Sequence, residues 1–110
     1  MISMKKLITS TLLAILFGST NAGESQGTVK NLIVHTPDIA IFSAGVIYDT
    51  PACNAAQQWA ISMSDPVGKA MLAVLLTAQA QNRRILVKGY SGTCRDWYDR
   101  ELPSYIILLD

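Results

Sequence analysis

The chain is poor in the residues from which most active sites are built. It has one histidine, His35, and two cysteines, Cys53 and Cys94. One histidine excludes a multi-histidine zinc site. A Ser-His pair would need His35 beside an activated serine, and no G-x-S-x-G turn is present. The two cysteines do not form a C-x-x-C pair, the natural form of a catalytic dithiol. "GYSGT" (Gly89 to Thr93) has two glycines but lacks the lysine of a phosphate loop, so it reads as a turn leading into Cys94. Neither sign of charge predominates: nine Lys and Arg stand against eight Asp and Glu, a net charge of +1. That gives no basic footprint for nucleic acid and no polybasic patch for a membrane surface.

What the chain does have begins at its start. "MISMKKLITSTLLAILFGSTNA" carries Lys5 and Lys6, then an apolar run from Leu7 to Phe17, then small and polar residues ending at Ala22. That is the order of a secretory signal peptide. The run is about 11 residues, too short to cross about 30 Å of hydrocarbon, so no stable membrane insertion is expected. Thr20 and Ala22 suit the −3 and −1 positions, which places cleavage after Ala22 and makes residues 1–22 a leader and 23–110 a single domain. With Lys5 and Lys6 removed, seven basic and eight acidic side chains leave a net charge of −1. The reading is of an exported protein, periplasmic or secreted, small enough that one core is only just sufficient. In an oxidising compartment Cys53 and Cys94 are expected to pair. The chain-entropy model puts the closed loop at about 4 kcal/mol as an upper bound.

Along the mature chain, "GESQG" (Gly23 to Gly27) reads as a short, polar, mobile start. "TVKNLIVHT" and "DIAIFSAGVIYDT" read as the first two strands, a hairpin pivoting near Thr36 to Asp38, with a bulge or bend at Ser43-Ala44-Gly45. "QQWAISM" alternates and reads as a third strand. "MSDPVGKAMLAVLLTAQAQN" is a helix over about 66–81. Ser64 or Asp65 is its N-cap candidate, Pro66 its first position, and Asn82 its left-handed stop. "RRILVKGY" and "PSYIILLD" are the fourth and fifth strands. The expected fold is mostly β with one central helix between strands 3 and 4, the element order of an OB-like five-stranded barrel.

The helix is apolar on more than one side. Met71, Leu72, Leu75 and Leu76 form a large-residue side for the core. Ala70, Ala73, Thr77 and Ala80 form a small-residue side that lets another backbone approach, and these four are the candidate oligomer interface. The "CRDWYDRE" segment mixes aromatics with charges. Trp97 and Tyr98 could face a sugar ring, while Asp96, Asp99, Arg95 and Arg100 could bond its hydroxyls or a carboxylate. Trp97, Tyr98, Asp99 and Arg95 are the candidate glycan site; packing beneath the disulfide or at a subunit contact is the competing role for the aromatics. Asp96, Asp99 and Glu101 are too close in sequence to suggest a glycosidase pair. No catalytic residue, cofactor or metal is expected.

The pattern of Cys53, then Trp59, then the helix, then "LLTAQAQNRRILVKG" followed by "GTC" resembles the binding subunit of subtilase-cytotoxin-like AB5 toxins. The likeness covers most of the mature chain in element order. It implies a small barrel, a ring-shaped homo-pentamer and glycan binding. The chain is shorter than those subunits and lacks a counterpart of their early sialic-acid-binding segment, so no binding residue is carried over. Two readings follow. One is a non-enzymatic exported protein that forms a ring and binds a glycan or protein partner. The other is a monomeric periplasmic interaction, inhibitor or accessory domain.

Overall fold

Six strands and one helix follow one another in the computed structural model, which describes residues 21–110. The leader expectation over residues 1–22 lies almost wholly outside the described residues. The strands are β1 (Glu24–Thr28), β2 (Lys30–His35), β3 (Ile39–Ser43), β4 (Trp59–Ser62), β5 (Arg84–Gly89) and β6 (Pro103–Leu108); the helix, α1, spans Pro66–Ala80 between β4 and β5. They form two antiparallel three-stranded sheets, ordered β1-β5-β6 and β2-β3-β4.

The mostly-β reading with a helix between the third and fourth expected strands holds. The count of five strands does not, and the two sheets do not close into a barrel. The additional strand is β1, in the stretch expected to be mobile. Its residues are short and polar, so periodicity does not reveal it. It is ordered by pairing with β5 from Glu24–Lys88 to Thr28–Arg84. It is also held by a buried hydrogen bond from the Trp59 indole Nε1 to Ser25 Oγ at 3.0 Å. A buried indole N–H needs such a partner.

The hairpin at Thr36 to Asp38 joins β2 to β3 as expected. The strand ends at Ser43, because Gly45 adopts φ +80° and a side chain there would run into the Gln26 carbonyl of β1. The irregularity in the ladder lies in β2, between Lys30 and Ile33.

Helix α1 begins after Asp65, with Pro66 in the first turn. Asp65 takes the N-cap backbone conformation but makes no side-chain cap bond. Its carboxylate is engaged by Arg95. At the other end Asn82 is left-handed at φ 51°. The Asn82 N–H donates to Gln79 O and the Arg83 N–H to Ala78 O, the paired bonds of a Schellman stop. Gly68, Met71, Leu75 and Ala78 face inward. Leu76, expected in the core, is half-exposed, because it lies a turn's fraction away from the Met71–Leu75 line.

The main core lies between the sheets and under the helix: Phe42, Trp59, Ile61, Leu75, Ile85 and Val87 are fully buried within it. A second, smaller cluster of Ile39, Ile41 and Ala60 lies on the outer face of β3 and β4, and Trp97 packs against it. Strand β3 is therefore buried on both faces. The segment after Cys94 provides the outer cover.

Candidate functional site

The Cys53–Cys94 disulfide forms, with Cα atoms 6.1 Å apart. Ser91 and Gly92 turn left-handed just before it, at φ 52° and 65°, as the turn reading of "GYSGT" requires. The bridge fixes the start of the Arg95–Glu101 segment, whose side chains then diverge.

Arg95 points to the helix start. Its Nη2 lies 2.9 Å from Asp65 Oδ2 and its Nε 3.1 Å from Asp96 Oδ1. The hydrogen bond and charge of Asp96, with Asp65 adding to them, raise its already high pKa. Arg95 is exposed, whereas the Asp96 side chain is 10% exposed. Asp96 Oδ2 is buried and has no hydrogen-bond partner. Together they edge a cleft of about 400 Å³ between the first turn of α1, the end of β5 and the start of β6. Ser62, Tyr90 and Ser104 also line it, together with Met71 and Leu102. A cleft with an apolar floor and a few convergent polar groups is the ordinary form of a small-molecule site.

The other three candidate glycan residues stand elsewhere. Trp97 is half-buried over Ile39, Ile41 and Ala60, edge-on to His35 with ring centroids 4.8 Å apart. Its Nε1 is buried and unpartnered. Tyr98 is 80% exposed and stacks on Trp97 at 6.3 Å. Asp99 pairs with Arg100 at 2.6 Å, and Arg100 also donates to Gln58 Oε1. So Arg95 borders the cleft, while Trp97, Tyr98 and Asp99 do not line it. Tyr90 is a cleft residue that sequence reasoning does not place in a site; Asp96, one of the polar groups of the aromatic-charged segment, borders the cleft beside Arg95.

The three acids of this segment go to three separate partners. Asp96 meets Arg95, Asp99 meets Arg100, and Glu101 turns into the interior with no exposure. Glu101 Oε2 accepts a hydrogen bond from the Gly23 N–H at 2.7 Å and Oε1 one from Asn54 Nδ2 at 3.5 Å. Burial pushes its pKa up, against the opposing pull of those bonds and of Lys88. His35 is exposed, its Nδ1 2.6 Å from Thr36 O. Among the described residues no three His, Cys, Asp or Glu side chains gather in a metal-binding group.

The candidate interface residues Ala70, Ala73, Thr77 and Ala80 are all exposed on α1, and the Thr77 hydroxyl turns back to Ala73 O. Among the described residues, no further strand adds to the free side of β2 or β6. Among the described residues no helix is long and apolar enough to cross a membrane. The chain matches no protein-family model, no curated protein and no solved structure.

Proposed function

We propose that this is an exported, non-enzymatic binding protein that assembles into a closed ring and takes a glycan in the cleft beside Arg95. The observation that carries the reading is the exposed apolar surface on two of the four edge strands, β2 and β6. Strand β2 exposes Ile33 and Val34, and β6 exposes Tyr105 and Ile107. An apolar edge strand with free N–H and C=O groups is a template for pairing. Two different edges on one subunit make a head-to-tail contact, and such contacts close into rings when the rotation permits. The uncovered small-residue face of α1 supplies a second surface for a neighbour. For the ligand, the exposed Arg95 guanidinium is a charged donor on the rim of the cleft and Tyr90 an aromatic wall. A polyhydroxylated ligand uses both.

Native mass spectrometry of the oxidised, leader-free protein tests the assembly. The expected result is five copies, each two hydrogens lighter than the reduced chain. Val34→Lys on β2 and Ile107→Lys on β6 are each expected to return the monomer. A monomeric wild type overturns the ring and favours the accessory-domain alternative. A glycan array tests the ligand, with binding expected for the wild type and lost roughly tenfold or more in Arg95→Ala, as removal of a charged hydrogen bond implies. No bound glycan, or equal binding by both, overturns the glycan reading. Trp97→Ala is the poorer probe, because it also strips the cover from Ile39 and Ile41.

A further inference from the structure

Glu101 is the one ionisable side chain among the described residues with no exposure. A buried carboxylate needs a cation or a dense set of donors. Its strongest donor is a single backbone amide, that of Gly23, at 2.7 Å. Asn54 adds a long bond at 3.5 Å. Lys88 is the charged group facing the site, and its Nζ is 3.3 Å from the Ala22 carbonyl rather than on the carboxylate. The surroundings are shaped for this contact. A side chain at Gly89 would run into Glu101 Oε2, and one at Gly23 would strike Glu101 Oε1 and Ile47. Gly23 is itself locked in place: its carbonyl accepts from the Gly89 N–H at 2.8 Å, and the next residue exchanges two bonds with Tyr48.

The amide that meets the buried carboxylate thus belongs to the residue that the leader pattern makes the first of the mature chain. We propose that cleavage of the Ala22–Gly23 bond converts this hydrogen bond into a buried ion pair between the Gly23 α-ammonium and the Glu101 carboxylate, so that processing completes the fold. Water supplies the atoms: hydrolysis of the peptide bond leaves a carboxylate on Ala22 and an amine on Gly23, which takes up a proton. The charge appears where the unpaired anion already waits. Cleavage acts before β1 docks, since Gly23 is buried once it pairs with β5. It also removes the Ala22 carbonyl from Lys88, which leaves the ammonium as the cation in contact. The inference rests on the leader reading.

The test compares three oxidised full domains: one beginning at Gly23, the same chain N-acetylated, and one keeping Ala22 and the two residues before it. The free-amine form is expected to melt highest, by roughly 5 °C or more for a domain of this size. Its advantage is lost as pH rises through the α-amino pKa, which lies above its ordinary value of about 7.7–8.0 when paired. Glu101→Gln is expected to abolish the difference between the three, and Lys88→Met to preserve it. Equal melting of the free-amine and acetylated forms overturns the ion pair. If Glu101→Gln does not fold, the Gly23 α-amino resonance followed by NMR against pH gives the answer: a raised pKa supports the pair and an ordinary one overturns it. The N-terminal residue of exported protein, read by mass spectrometry, tests the leader separately. A start other than Gly23 overturns the processing step even where the engineered Gly23 chain shows the pair.

Discussion

At the residue scale, the densest set of constraints converges on Glu101. One carboxylate touches the chain's first strand through Gly23 and the loop before β4 through Asn54, and it lies beneath Gly89 of β5. While Gly23 is an amide, burial holds the Glu101 pKa above its ordinary value. A raised carboxylate pKa means that the folded state binds the proton more tightly than the unfolded state. The chain in which Gly23 remains an amide is therefore expected to gain stability as pH falls from neutrality through that raised pKa toward the ordinary carboxylate range, and to gain nothing further below it. Urea midpoints measured across that range check the sign. A gain on raising the pH instead would mean that the carboxylate is compensated without the ammonium. Gly89→Ala should cost about 1–3 kcal/mol by overpacking, because the added methyl meets the carboxylate and the strand backbone must shift. Thermal unfolding reads that loss.

At the element scale, the helix separates propensity from placement. Alanine favours a helix interior over glycine by about 1 kcal/mol. Gly68→Ala is nevertheless expected to destabilise the protein, because a Cβ at 68 would run into the Ser62 carbonyl at the end of β4. A stability gain in denaturant titration would mean that the helix can lift off that strand freely. The C-terminal stop behaves in the opposite way. Asn82 holds the left-handed position of the Schellman stop, where glycine has no Cβ penalty. Asn82→Gly is expected to leave stability unchanged or raise it by up to about 1 kcal/mol, whereas a β-branched residue there should lower it. The N-terminal end has no side-chain cap, since Asp65 is drawn to Arg95. That pair is exposed and contributes little to stability. Its consequence is positional: it ties the disulfide-anchored loop to the wall of the cleft.

At the scale of the whole molecule, the Cys53–Cys94 bridge joins the loop before β4 to the segment that covers the outer face of β3 and β4. Replacing both cysteines with alanine should cost up to about 4 kcal/mol, a large share of the stability of one small domain. The loss should be concentrated in the loop from Arg95 to Arg100, with earlier hydrogen exchange there than in β5. Uniform exchange across the domain would show that the bridge acts on the unfolded chain alone. Two of the four edge strands, β2 and β6, carry exposed apolar side chains. Concentration-dependent melting is the expected sign that these edges are paired in solution, because a partner that binds only the folded chain stabilises it by mass action.

The sequence by itself determined the elements whose signals are local. Pro66, the apolar repeat and Asn82 bounded the helix within one residue of its observed end. Alternation located β4 and β5. The two cysteines, in a chain whose start reads as a leader, predicted their own bridge. Only the tertiary structure decided what depends on residues distant in the chain. Strand β1 has almost no pattern of its own; it is a strand because β5 offers a ladder and Trp59 needs a hydrogen-bond acceptor at Ser25. The aromatic-charged segment looked like one site, yet packing divides it: Trp97 goes to a small core, Arg95 to the cleft and Glu101 to the interior. Side chains adjacent in sequence point apart in an irregular loop, and no periodicity records their directions. Glu101 lies in the interior for the same reason. Nothing local marks it for burial, and its place is set by two glycines, at 23 and 89, that leave space for a carboxylate between distant backbones.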